Sequence, residues 1–206
     1  MFGGGSKPDP VRLSGSSIST ETVALGNSYG LNLPKRLDGF VRTDTEDRPH
    51  GTDIVAGYAR TLDPAPIIAT VRVHKVGDSG ALGVLTGTTT NSTENRSRAA
   101  LDASIAQVRR FYPQASVVHT APAFLVRFGA MQNGRAATLT YTDVMDGVRQ
   151  PIDLQVMTFC CADGRWSYEY RFRYPASLAG VDGPIAKFLT DLAWSAEPAA
   201  SVDKPN

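Results

Sequence analysis

Arg127, Thr140, Asp153, Arg171 and Arg173 each stand between apolar neighbours, as in Leu139-Thr140-Tyr141, Ile152-Asp153-Leu154 and Tyr170-Arg171-Phe172-Arg173-Tyr174. Successive side chains of a strand alternate faces, so strands that bury the apolar set turn these polar residues to the other side. Two or three guanidiniums around one carboxylate can hold an anionic ligand or a partner's acidic residue, because the planar fork of arginine matches an oxyanion pair. The competing interpretation is a solvated face laced by surface ion pairs, each contributing little. These five residues are the candidate ligand or partner site.

Other reactive groups read as structural. Gly77-Asp78-Ser79-Gly80 copies a serine-protease nucleophile tetrad, but that chemistry needs a base and an orienting carboxylate. In that family both come before the serine, within a double barrel. Only 78 residues precede Ser79, and His74 lies five residues away on a predicted strand, so the fold has no room. The tetrad reads as part of a Gly- and Thr-rich loop over 77–90. Cys160 and Cys161 are adjacent, and neighbouring strand residues point apart, so the pair is expected as free thiols. Cys160 is expected opposite Trp166 on the aromatic side and Cys161 opposite Arg165. Three isolated histidines, His50, His74 and His119, lack metal-ligand spacing, and neither metal nor cofactor is expected. The run Gly87 to Thr93 leads into a helix start, where anions can bind, but lacks the lysine of a phosphate loop.

Composition narrows the classes. The 206 residues carry 21 basic and 20 acidic side chains for a net charge of +1, without the basic excess of a nucleic-acid binder. A hydrophobic content of 42 % fits one ordinary globular domain, and no apolar run is long enough to span a bilayer. The N-terminus, MFGGGSKPDP, has no apolar signal core, so a cytoplasmic location is the simpler reading, with a periplasmic one if an export signal was removed. Residues 1–20 and 195–206 read as disordered tails around a single domain over 21–194.

The elements that must position these residues follow from periodicity. Residues 39–45, 52–60 and 66–74 alternate as strands, the last two joined by the turn-like Thr61-Leu62-Asp63-Pro64-Ala65-Pro66. A helix over about 92–112 places Leu101, Ile105, Val108 and Tyr112 on one face and stops at Pro113. A second, over about 183–194, carries Val181, Ile185, Phe188, Leu189 and Leu192 on one stripe, with Pro184 in its first turn. Between them, three turn signals predict a four-stranded antiparallel meander over about 124–174. Asn133-Gly134 and Asp146-Gly147 suit two-residue hairpins, and Ala162-Asp163-Gly164 a three-residue one. Those turns set Phe128, Leu139, Leu154 and Phe172 in one row on a single apolar face. They also set Arg127, Thr140, Asp153 and Arg173 in one row on the other face, with Arg171 and Gln155 in the next. The fold class is α+β, an antiparallel sheet with two helices packed on it.

This order of short strands, long helix, meander and closing helix, with Leu31-Asn32-Leu33-Pro34 and Arg173-Tyr174-Pro175, resembles the PsbP/DcrB-like α/β/α sandwich family over about 31–194. The resemblance implies a non-enzymatic accessory, chaperone-like or partner-binding module, and it supplies no catalytic residues. The expected partner is another protein or a peptide, engaged through a sheet face, a groove beside the helix or the 77–90 loop. The alternative is a small hydrolase or other enzyme whose site assembles from distant residues.

Overall fold

In a computed structural model of the chain, the described residues are 33–47, 53–75, 93–127, 130–160 and 166–192. The predicted tails, the 77–90 loop, the Gly77-Asp78-Ser79-Gly80 tetrad, the Ala162-Asp163-Gly164 turn, Phe128, His50 and Cys161 lie outside them. In chain order the elements are β1 (Arg36–Leu37), β2 (Phe40–Asp47), β3 (Asp53–Leu62), β4 (Ala65–Lys75), α1 (Thr93–Phe111), β5 (Ser116–Arg127), β6 (Ala130–Met145), β7 (Val148–Cys160), β8 (Trp166–Pro175) and α2 (Asp182–Asp191). All eight strands form one antiparallel sheet in the order β1-β2-β3-β4-β8-β7-β6-β5. The α+β class, the meander β5 to β8 and both helices stand as the periodicity indicated. Among the described residues, no helix is long and apolar enough to cross a membrane.

Each face of the sheet buries one helix. On one side α1 lies over β6 and β7, setting Leu101 and Val108 against Leu139, Tyr141, Ile152, Leu154 and Val156. Its buried stripe also includes Ser97 and Ser104, which the apolar pattern passes over. The Ser97 carbonyl accepts from Thr158 Oγ1 at 2.7 Å, and the Ser97 hydroxyl accepts the Cys160 N–H at 3.1 Å. Small side chains let the helix approach the sheet, and these bonds satisfy the polar groups so buried.

On the other side, α2 sets Val181, Ile185, Phe188 and Leu192 against Phe40, Tyr58, Ala69 and Phe172. Phe188 is wholly buried among three rings, with centroids 4.8 Å from Phe40, 5.3 Å from Tyr58 and 5.5 Å from Phe172, all edge-on. The same core reaches Leu125 on β5, and α2 also contacts β5. From β2 to β5 is six inter-strand steps, about 29 Å if flat. A helix is only about 10–12 Å wide. The sheet therefore curls around α2, and β5 closes towards the helix from the far edge.

Two predicted registers are corrected. Asn133-Gly134 is no turn: both residues lie inside β6, paired with Phe124 and Ala123, and the β5–β6 pairing continues past them to Arg127 with Ala130. Gly134 is needed for close approach instead, because a Cβ there would collide with the Phe159 ring and the Thr158 carbonyl. Asp146-Gly147 does make the expected turn, with φ of 51° and 78°, and Leu139 faces Leu154 as predicted.

The second correction is at β8. Leu154 pairs with Arg173, and Gln155 with Phe172, one residue away from the predicted register. That slip turns the whole of β8 over relative to β7. Its aromatic stripe joins Ala69, Val71 and Val73 beneath α2 rather than Leu154 beneath α1. The single apolar face is thus replaced by two, because helices cover both sides.

Candidate functional site

The five candidate residues do not share a face. Thr140 and Asp153 stand opposite one another as expected, but Asp153 lies beside Tyr174 on the α2 side, while Arg171 and Arg173 lie on the α1 side. Arg127 pairs with Ala130, ten residues along β6 from Thr140, or about 34 Å of strand. The two β8 arginines join sheet to helix. Arg171 donates to Ser104 Oγ at 3.0 Å and Gln107 Oε1 at 2.6 Å, and its Nε stands 2.5 Å from Glu169. Arg173 holds Asp143 at 2.7 Å and the Val144 carbonyl at 3.2 Å. Beside this pair, Tyr112 stacks on Tyr141 with centroids 4.2 Å apart. Burial raises the Tyr112 phenol above its usual range, and a hydrogen bond to Asp143 raises it further. Burial also raises Tyr141, against the pull of Arg173.

On the α2 side, Gln155 Nε2 donates to the Tyr174 hydroxyl at 2.8 Å. Burial pushes Tyr174 up to about 12, with the Asp153 carboxylate adding to the shift. Cys160 is buried opposite Ser167, its Sγ 3.7 Å from the Ser167 hydroxyl, and not opposite Trp166 as predicted. His119 is exposed on β5. Among the described residues, no three His, Cys, Asp or Glu side chains gather as a metal site.

Among the described residues, a concavity lies elsewhere, between the outer flank of α1 and the edge strand β5. It is an open groove of about 680 Å³ lined by Asp102, Ile105, Ala106, Arg109, Arg110, Val117 and Thr120. No protein-family model matches this chain, and no curated protein matches it either.

Chain reversal at Pro113 builds the groove. The helix ends at Phe111 and β5 starts at Ser116, so the two must run back along one another. The side-chain contacts fix their levels. Glu94 pairs with Arg135, which sits beside Pro122, whereas Tyr112 stacks on Tyr141, near the Ser116–Thr140 pair. Helix and strand are thus antiparallel, with 102–110 level with about 116–120. Arg109 Nε donates to the Ala115 carbonyl at 3.4 Å, which ties the arginine to the groove's end.

The floor is apolar, from Ile105, Ala106 and Val117, and the walls are charged. Among the described residues, neither Asp102 nor Arg110 has an ionic partner of its own. β5 itself contains no acidic residue.

β5 ends the sheet order, so no described strand pairs with its outer side. A bare edge is a template for another strand. Here it is limited on both sides, by a bulge between Val117 and His119 and by Pro122, which brings no N–H. Further on, the β5–β6 pairing continues past the last β6–β7 pair, Gly134–Phe159. Leu125 on this extension faces the α2 core, while Phe124, Val126 and Met131 are 65–69 % exposed. The sequence points to a groove beside the helix without marking which residues line it. The signal was available in the helix, Pro113 and strand order, which makes α1 and β5 antiparallel neighbours.

Proposed function

We propose that this chain is a partner-binding domain that takes an extended polypeptide segment along the outer edge of β5, with its side chains entering the α1–β5 groove. The observation that carries this reading is the juxtaposition itself: an apolar-floored groove runs beside a strand whose outer side pairs with no described strand. Recognition by strand addition draws affinity from main-chain hydrogen bonds and specificity from pockets that receive alternate side chains. The bulge and Pro122 keep the pairing stretch short, which discourages indiscriminate edge association. The likeness to the PsbP/DcrB-like sandwich belongs to the same proposal, and a helix on each face of one antiparallel sheet supports it.

The test is selection of a random peptide library on the full chain, followed by amide chemical-shift mapping of the enriched peptides. Shifts concentrated at 102–110 and 116–120 are expected. Enriched peptides that perturb only other surfaces, or no enrichment at all, would overturn the proposal.

A further inference from the structure

The groove wall has an order of charges that a strand can read. Along the flank of α1 facing β5, Asp102 comes first, then Ile105 and Ala106, then Arg109 and Arg110. Each step is about four residues, or roughly 6 Å of helix rise. Alternate residues of an extended strand are spaced about 6.6 Å apart on one side. A strand lying beside α1 therefore sets consecutive same-side residues level with consecutive chemical zones of the groove.

The polarity of that strand follows from the sheet. Every pairing in the sheet is antiparallel, and a segment added antiparallel to β5 runs parallel to α1. It meets Asp102 first, the apolar floor second and the arginine pair last.

We infer that the partner segment is an extended peptide of the pattern basic-x-apolar-x-acidic, read from its N-terminus. This rests on the groove reading above and adds the chemistry of the ligand. The acidic position carries the larger share, because two guanidiniums face it while a single carboxylate faces the basic position. Arg98, one turn before Asp102 on α1, and the lack of any acid on β5 leave the surroundings positive on balance. A polar residue is thus better tolerated at the basic position than at the acidic one.

Two fluorescein-labelled nonapeptides of identical composition test the pattern. One carries Lys-x-Leu-x-Glu and the other Glu-x-Leu-x-Lys, with Thr and Val at the intervening positions. Fluorescence anisotropy against the full chain is expected to show the first binding about tenfold more tightly, since two attractive pairs become repulsive in the second. The variant Asp102→Arg/Arg109→Glu/Arg110→Glu, changed only at exposed positions, is expected to reverse the preference while circular dichroism shows the fold retained, with some loss of melting temperature from the Arg109–Ala115 bond. Equal binding of the two peptides would overturn the pattern and leave the groove reading standing. A native preference for the second would overturn the antiparallel polarity. Binding of neither would overturn the groove reading along with the pattern.

Discussion

Replacing Phe188 with alanine tests how α2 is held inside the curled sheet. The ring is wholly buried and meets Phe40, Tyr58 and Phe172 edge-on, one ring from each of β2, β3 and β8. Truncating a buried Phe costs about 3–5 kcal/mol, the larger values arising where surrounding groups cannot collapse into the cavity. Collapse is restricted here, because the three rings sit on hydrogen-bonded strands and α2 is also held by Ile185 and Leu192. Phe188→Ala is therefore expected to cost about 4 kcal/mol and to lower Tm by roughly 8–16 °C. Phe188→Leu keeps most of the volume and is expected to cost less than about 1.5 kcal/mol. Urea unfolding followed by circular dichroism measures both. A loss below about 1.5 kcal/mol for Phe188→Ala would refute the placement of α2 as the plug of the concave face.

Four further outcomes are expected. Gly134→Ala should destabilise by about 1–3 kcal/mol through overpacking against the Phe159 ring and the Thr158 carbonyl; a thermal melt matching the parent would return Gly134 to the turn role its sequence suggests. A double-mutant cycle of Arg173→Gln and Asp143→Asn should give a coupling of roughly 1 kcal/mol for this half-buried pair; zero coupling would place Arg173 on the other face. Val126→Lys with Met131→Glu should leave stability within about 0.5 kcal/mol, because both side chains are exposed, and a larger loss in urea unfolding would show them buried. Finally, burial raises Tyr58 and Tyr174 to about 12 from an unfolded value of 10. Between those values the unfolded chain ionises first, so stability should hold below about pH 10 and fall by a few kcal/mol towards pH 12. Tyrosinate absorbance that rises near pH 10 in the folded chain and is lost on Tyr58→Phe or Tyr174→Phe would contradict this.

Much of the local structure was legible. The stripe through Leu101 and Val108, closed by Pro113, marked α1 to within a residue at each end, because helical periodicity and a stop signal are local properties. The same holds for Asp146-Gly147, where positive φ at both residues suits a tight hairpin. Asp38-Gly39 carries an equal signal, passed over in the sequence, and joins β1 to β2 with φ of 45° and 80°. Asn133-Gly134 shows the limit of such signals. A glycine that can make a turn can equally serve where a ring and a carbonyl leave no room for a Cβ, and only the neighbouring strand selects between them.

The site was less legible than the fold. Alternation from Tyr168 to Tyr174 states which side chains travel together, but not which side of the sheet they face. Helices cover both sides, so apolar residues on either face are buried, and the β7–β8 pairing, with Cys160 opposite Ser167, decided the question by one residue. Arg173 thereby left Asp153 for Asp143, and the expected anion-binding row dissolved.

By itself the sequence determined what depends on neighbours along the chain: where helices start and stop, which strand residues share a side, and that an antiparallel meander precedes the last helix. The tertiary structure decided which sides meet: the register of β8, the curl that brings β5 to α2, and the groove between α1 and the β5 edge. Those relations depend on packing across many residues of separation, where one unit of register exchanges a buried face for a charged one.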